Sequence, residues 1–169
     1  IPNLIRLCGE GANYLDQKYD WIYVDPDRRP GNVRAVALPS LEPNVLDLLP
    51  DFKHCATWVY IKLSPLFDLS EIWRQFINVK TVHLIAERGE IKEVGVILDM
   101  SRFSNQKTVV LRDVYSDFSQ EINLEAPNVF NFSEEVSGPY LLVPIALVSK
   151  AGAAHFFLKE TLSTKHETF

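Results

Sequence analysis

The chain has 169 residues, of which 47% are hydrophobic, so it has enough apolar material for a folded core. Its net charge is −5, whereas domains that bind nucleic acid mainly by neutralising phosphates are basic. No apolar run approaches the roughly 20 residues that span a bilayer. No signal-peptide pattern stands at the amino end. The composition favours a cytoplasmic globular protein without a membrane partner.

Cysteine and histidine give no indication of a metal site. Cys8 and Cys55 have neither the spacing of a redox pair nor that of metal ligands, and we expect each to fill a strand as a small apolar residue. The histidines share no ligand spacing either: they are His54, His83, His155 and His166. The sequence therefore predicts a protein without bound metal.

The first predicted elements are short. Residues 4–8 favour a strand, which the two glycines around Glu10 interrupt. Residues 12–18 then favour a short helix. The glutamate lies where a strand ends, but a surface position in a turn is the plainer explanation.

The most informative stretch is the strand predicted for residues 21–24, with its exit. Its aromatic and β-branched residues are typical of a buried strand. It must end near Asp25, because Pro26 has no amide hydrogen and disfavours helix in the residue before it. Arg28 and Arg29 follow. Ligands bind at the carboxyl ends of strands in open α/β sheets, so these charges predict a site. The alternative is that the aspartate and an arginine pair only to close a loop.

The next two elements lead to the same edge of the sheet. Residues 42–49 predict a helix that begins at a proline and ends at Pro50. Residues 56–63 predict a strand, whose near-continuous apolar character suits a parallel strand covered on both faces. It ends at Ser64 and the following proline. Lys62 and Ser64 therefore lie at the carboxyl end of this strand, on the same edge as the first one.

A third helix and a hairpin complete the predicted sheet. Residues 70–77 favour a helix that buries Ile72, Trp73 and Phe76. Residues 81–86 and 93–98 flank a short turn that contains glycine, which is a hairpin signal. Strands that alternate with helices indicate an α/β fold.

Near residue 100 the sequence becomes more polar, and we place a domain boundary there. Residues 1–100 form the first domain and residues 101–169 a small α+β region. Within the second region we predict strands at 108–114, 128–132 and 140–143 and a helix at 146–162.

Several segments together resemble one family, the bacterial class I S-adenosylmethionine-dependent methyltransferase-like proteins with a carboxyl-terminal THUMP-like domain. Its Asp-Pro-x-Arg-Arg motif is similar to residues 25–29. Residues 60–68 resemble the next strand with its exit loop, and residues 89–93 resemble the hairpin turn. Residues 140–144 and 150–153 resemble the start of the THUMP-like domain, although Val143 and Ile145 depart from the acid-Pro-Asn pattern of that turn.

The resemblance implies a fold and an activity. The fold is the carboxyl-terminal part of a Rossmann-like methyltransferase sheet, with parallel strands that end in an antiparallel hairpin, plus a small α+β domain. The activity of the whole protein is methyl transfer from S-adenosylmethionine, with RNA as the expected acceptor. The family's first strand and glycine-rich cofactor loop have no counterpart in this chain. We therefore expect it to be inactive by itself.

The resemblance also assigns roles to residues of the predicted site. Asp25, Pro26, Arg28 and Arg29 are the expected catalytic residues, because in related enzymes an acid followed by proline accepts a hydrogen bond from a base amino group. An arginine stands where those enzymes have an aromatic residue, and its plane can stack on a base or bind a phosphate. For the cofactor, the expected residues are Glu10 and Asp25.

The expected substrate-binding residues are Arg28, Arg29, Lys62 and Ser64. The lysine can meet an anionic substrate, but it can equally pair with Asp25 or extend outward to solvent.

Two other interpretations stay open. The chain could be a non-catalytic RNA- or protein-binding module on a methyltransferase-like fold, or a stable piece without activity of its own. Truncation would also leave the strand at residues 21–24 with an open edge. Such edges recruit partners, so we expect self-association along it.

Overall fold

The computed structural model describes residues 3–27, 37–124 and 143–157. Short 3-10 helices occur at Gly11–Tyr14 and Leu38–Ser40. The other elements, in chain order, are β1 (Tyr19–Val24), α1 (Leu49–Cys55), β2 (Ala56–Leu63), α2 (Leu69–Gln75), β3 (Val79–Glu87), β4 (Glu90–Asp99), β5 (Thr108–Asp113), β6 (Phe118–Asn123) and α3 (Ala146–Ala151).

The strands form one six-stranded sheet in the order β1-β2-β4-β3-β5-β6. β1 is parallel to β2, and β5 is parallel to β3. β4 lies antiparallel between β2 and β3, and β6 is antiparallel to β5. This confirms the predicted α/β fold, in which parallel strands are followed by an antiparallel hairpin. β1, β2, β3 and β5 run in the same direction, so their carboxyl ends meet at one edge of the sheet.

One face of the sheet forms the core. On β2 this face carries Val59 and Ile61, which are fully buried. The three helices contribute Phe52, Ile72 and Leu147 to the same hydrophobic cluster. Residues that alternate with the core positions along β1 and β2 are half-buried or exposed. Phe52, Ile72 and Leu147 thus pack in one core with the buried residues of this sheet face.

The prediction for β2 is confirmed residue for residue, and α2 differs from its prediction only at its ends. The side chain of Asp68 accepts a hydrogen bond from the amide of Ser70 at 2.8 Å, which caps the amino end of α2. The predicted hairpin is also present. Its strands extend to Glu87 and Glu90, so that only Arg88 and Gly89 form the turn.

The prediction for residues 42–49 is wrong. Residues 45–48 form turns, and the helix begins at Leu49 with Pro50 in its first turn. Proline suits this position because the first amides of a helix have no partner within it. The proline therefore begins α1 instead of ending the helix before it. Val45 is nevertheless fully buried, as its apolar character indicated.

The predicted strand at residues 4–8 is also wrong. These residues have no strand pairing, and Leu4, Ile5 and Leu7 are exposed. A strand needs a neighbour for its backbone hydrogen bonds, and no described segment pairs with this one. The helix predicted for residues 12–18 is reduced to the 3-10 turn at Gly11–Tyr14.

The sheet continues past the boundary predicted near residue 100, since β5 and β6 belong to it. The division into two domains stays a prediction, but it does not separate two sheets. The predicted strand at 128–132 lies outside the described residues, as do residues 140–142 and 158–162. The helix predicted from residue 146 is interrupted at Gly152, which adopts a left-handed conformation with φ 66°.

No helix in the described ranges is long and apolar enough to cross a membrane.

Candidate functional site

Asp25 and Lys62 meet at the carboxyl ends of β1 and β2. Lys62 Nζ donates a hydrogen bond to Asp25 Oδ2 at 2.6 Å. The Lys62 side chain is 37% exposed and the Asp25 side chain 49%, so the pair lies at the surface of the sheet edge. The hydrogen bond to the aspartate raises the pKa of the lysine. Of the alternatives that the sequence left open for Lys62, the structure shows the pairing with Asp25.

Asp25 is part of the wall of two cavities. The larger one, of about 850 Å³, extends along β1. The smaller one, of about 450 Å³, lies at the ends of β1 and β2. Asp25 thus contributes to the lining of both spaces. We call them the strand cavity and the end cavity.

The strand cavity has an acidic and aromatic lining. Glu10 and Glu42 contribute to its wall, together with Trp21 and Tyr23. Glu42 is held beside the exit of β1, because its backbone exchanges two hydrogen bonds with Asp27, at 2.7 and 3.0 Å. The two residues predicted to bind cofactor, Glu10 and Asp25, therefore face one cavity. Pro26, which was predicted to be catalytic, is buried and lines the end cavity instead.

The end cavity is lined by polar groups of both signs. Lys62 and Ser64, which were predicted to bind substrate, lie on its wall, and Lys92 at the start of β4 adds a second amine. This second lysine is paired with Glu90 at 2.6 Å. Ser64 is buried, and its hydroxyl accepts a hydrogen bond from the amide of Leu66 at 3.4 Å, which supports the turn after β2.

Stacked aromatic pairs continue from the site along β1 and β2. The rings of Trp21 and Trp58 lie 5.6 Å apart, and those of Tyr23 and Tyr60 lie 5.5 Å apart, nearly parallel in both cases. The outer members are 55% and 61% exposed. Partial burial, and then the charge of Asp25, raise the pKa of the Tyr23 hydroxyl. The site therefore presents aromatic rings to solvent next to its carboxylate.

Tyr60 links this aromatic row to β4. Its hydroxyl donates a hydrogen bond to Glu93 Oε1 at 2.7 Å. The ring lies directly over Gly95, where a Cβ atom would overlap the phenol. The pKa of Tyr60 is strongly raised. Burial of the phenol is the main cause, and its hydrogen bond to Glu93 is the second. The phenol is therefore a fixed, protonated donor.

From the sequence, no role in the site was assigned to several of these residues: Tyr23, Tyr60, Glu42, Lys92 and Glu93. The alternation within β1 and β2 was a usable signal for the tyrosines, because it places them on the same face as Asp25 and Lys62. Nothing local indicates the other three, which reach the site through pairing between distant segments. Arg28 and Arg29 lie outside the described residues.

In the described ranges, no group of three or more His, Cys, Asp or Glu side chains is arranged to hold a metal ion.

No family model matches this chain, and no curated protein matches it. Among solved structures, it is similar to the crystal structure of a putative methyltransferase from Porphyromonas gingivalis W83. The TM-score is 0.56 and the identity 24%; the match covers 88% of this chain and 37% of the other. A likeness at this identity shows that the fold is methyltransferase-like.

Proposed function

We propose that this chain is part of an S-adenosylmethionine-dependent methyltransferase that acts on RNA. One observation carries the proposal: Asp25, at the carboxyl end of β1, lines both the strand cavity and the end cavity. Methyl transfer needs the acceptor nitrogen in line with the sulfonium methyl group, and a hydrogen-bond acceptor beside that nitrogen. The methyltransferase-like fold supports this interpretation.

The strand cavity fits the cofactor in size and in chemistry. Its volume of about 850 Å³ falls in the range of small-molecule sites. Carboxylates and aromatic rings both favour a cationic sulfonium, and a carboxylate can accept from an adenine amino group. Glu10 and Asp25 are the residues that would hold the cofactor. When bound, S-adenosylmethionine supplies an electrophilic methyl group.

Asp25 and Lys62 have different roles in this proposal. The aspartate accepts a hydrogen bond from the acceptor amine, which orients the lone pair of its nitrogen. The lysine holds the carboxylate through their 2.6 Å contact while the second carboxylate oxygen is available for the amine. The lysine is therefore a positioning residue.

RNA as the acceptor has two lines of support. Arg28 and Arg29 lie three and four residues after Asp25 in the sequence, and guanidinium groups bind phosphates and stack on bases. The end cavity is open to solvent and has hydrogen-bonding groups on its wall, as a pocket for a base turned out of its stack requires. Because the net charge is −5, recognition would depend on these local groups.

Isothermal titration calorimetry with S-adenosylmethionine tests the proposal on the complete gene product. We expect Glu10→Gln and Asp25→Asn each to weaken binding. Asp20→Asn is the matched control, because Asp20 lies on β1 but does not line the strand cavity. A complete protein that binds no cofactor at millimolar concentration would contradict the methyltransferase assignment. That result would favour the non-catalytic binding module.

The acceptor is tested separately, with tritiated cofactor and total RNA. Transfer of label to RNA supports the substrate class, whereas label on protein alone contradicts it. In that assay Lys62→Met should lower kcat more than it changes the Kd for cofactor, since the lysine acts through Asp25.

A further inference from the structure

The turn between β2 and α2 forms one side of the end cavity. It runs from the end of β2 to Asp68, which caps α2, and Ser64 and Phe67 lie on the cavity wall. The amide of Phe67 donates a hydrogen bond to the carbonyl oxygen of Ser64 at 3.0 Å, which closes the turn. Phe67 is fully buried and belongs to the hydrophobic core. The position of this turn therefore helps to set the shape of the cavity.

A side chain of α3 binds this turn from a distant part of the sequence. Lys150 Nζ donates a hydrogen bond to the backbone oxygen of Phe67 at 2.6 Å, although the two residues are 83 positions apart. Hydrogen bonds from a charged donor are roughly twice as strong as neutral ones. The last turn of α3 thus reaches the end cavity through the backbone of one of its lining residues.

The amine of Lys150 is held within the protein. The residue is half-buried, and this burial lowers the pKa of its ammonium group, while the charge of Asp68 opposes the shift. Lysine side chains usually keep their charge in water, because moving it into the protein costs free energy unless a hydrogen bond compensates. The contact with Phe67 provides that compensation.

α3 has its own anchor in the core. Leu147, Val148 and Ala151 are buried in the hydrophobic cluster, and the helix contacts β3, β4 and β5. Its position therefore does not depend on Lys150. The contact between Lys150 and Phe67 instead fixes the turn after β2 to a helix that is already in place.

We propose that Lys150 is a positioning residue of the end cavity. By holding the turn after β2 it fixes the apolar part of the cavity wall, which Leu41, Leu63 and Phe67 form. The flat face of an acceptor base packs against this wall, as apolar side chains pack against bases that are turned out of their stack. The part that concerns the acceptor rests on the proposed function, whereas the hold on the turn does not.

Hydrogen exchange of the complete gene product tests the hold on the turn. Lys150→Met keeps the apolar stem of the side chain and removes the amine. In this variant we expect the amides of Leu66 and Phe67 to exchange on the order of tenfold faster than in wild type. Both amides donate to Ser64 within the turn, so they report on its position directly.

Two further variants control this measurement. Lys150→Arg keeps a charged donor and should restore most of the protection. Lys80→Met removes an amine at an exposed position of β3 and should leave the exchange of the turn unchanged. Wild-type exchange rates at Leu66 and Phe67 in Lys150→Met overturn the proposal.

The transfer assay with tritiated cofactor and total RNA tests the effect on the acceptor. Lys150→Met should raise the KM for RNA on the order of tenfold, because the wall of the acceptor pocket is no longer fixed. The Kd for cofactor should stay unchanged, since neither Lys150 nor Phe67 lines the strand cavity. A general loss of structure would change both constants, and Lys150→Arg should restore the KM.

The outcomes separate this proposal from the proposed function. An unchanged KM for RNA in Lys150→Met overturns the role in acceptor binding, as does an equal loss of cofactor binding. If wild type transfers no label to RNA, the proposed acceptor and the role of Lys150 toward it fail together. The exchange rates of Leu66 and Phe67 still decide whether Lys150 holds the turn.

Discussion

The Nζ atom of Lys62 lies 2.6 Å from Oδ2 of Asp25, and the two residues come from neighbouring parallel strands. The last paired residues of these strands, Val24 and Ile61, directly precede them in the chain. The ion pair therefore forms where the backbone pairing of β1 and β2 ends. It holds the carboxylate of the residue that lines both cavities of the proposed site.

We expect Lys62→Met to change the free energy of unfolding by less than about 1 kcal/mol, because both side chains are partly exposed and solvent screens the pair. Urea denaturation measures this effect. Lys80→Met, at an exposed position of β3, is the control.

The effect of Lys62→Met on the free energy of unfolding depends on pH, and the sign of this dependence is definite. Asp25 raises the pKa of Lys62, so the contribution of the pair is complete below the unfolded-state pKa of about 10.4. It is lost as the pH rises through the folded-state pKa. A difference between wild type and Lys62→Met that grows with increasing pH above 10.4 would contradict the pairing.

Gly95→Ala should destabilise the protein by about 1–3 kcal/mol, because the added methyl group would overlap the phenol of Tyr60 and force its ring away from Glu93. In the background Tyr60→Val the same substitution should cost much less. Gly11→Ala is the control, since a Cβ atom there meets no other group. Thermal unfolding of the wild type, Gly95→Ala, Tyr60→Val and the double variant forms a double-mutant cycle. Additive effects of the two substitutions would contradict the contact.

The stability of the protein should fall when the pH drops below about 6.5, the unfolded-state pKa of histidine. Burial lowers the pKa of His83, and Arg112 lowers it further, whereas Glu121 opposes the shift. The unfolded chain then binds a proton that the folded chain does not. His83→Gln should flatten the decrease between pH 6.5 and 5, and the exposed His54→Gln should leave it unchanged. Equal slopes for wild type and His83→Gln would contradict this account.

A second acid-sensitive position is Asp113, at the end of β5. Its carboxylate accepts hydrogen bonds from the amides of Gly89, Tyr115 and Ser116 at 2.7, 2.9 and 3.3 Å. The first of these bonds is the main cause of its lowered pKa. Its stabilising effect is present above the unfolded-state pKa of about 3.9 and is lost as the pH falls through the folded-state pKa.

Asp113→Asn should therefore make the free energy of unfolding less dependent on pH below about 4. Asp117→Asn, in the exposed turn before β6, is the control. Acid titration, monitored by circular dichroism, measures the acid unfolding transition of Asp113→Asn and of Asp117→Asn. An unchanged acid transition in Asp113→Asn would show that the three hydrogen bonds do not depend on the charge.

The sequence by itself determined the features that depend on local chemistry. β2 has the predicted bounds, because its apolar run lies between a helix end and a proline. The β3–β4 hairpin follows from the glycine in its turn, which has φ 79°. Pro26 limits β1 as expected. In each case a few adjacent residues restrict the backbone, whatever lies around them.

Only the tertiary structure decided which segments become strands and which side chains meet. Residues 4–8 have strand-like sequence but no neighbour to pair with, while the more polar Phe118–Asn123 becomes a strand by pairing with β5. Pro50 suits either the end of one helix or the start of the next, and the burial of Phe52 and Cys55 fits the second. The contact between Asp25 and Lys62 depends on the parallel register of two strands, a pairing that no local pattern specifies. Strand pairing is a relation between distant segments, and its free energy comes from the partner as much as from the strand itself.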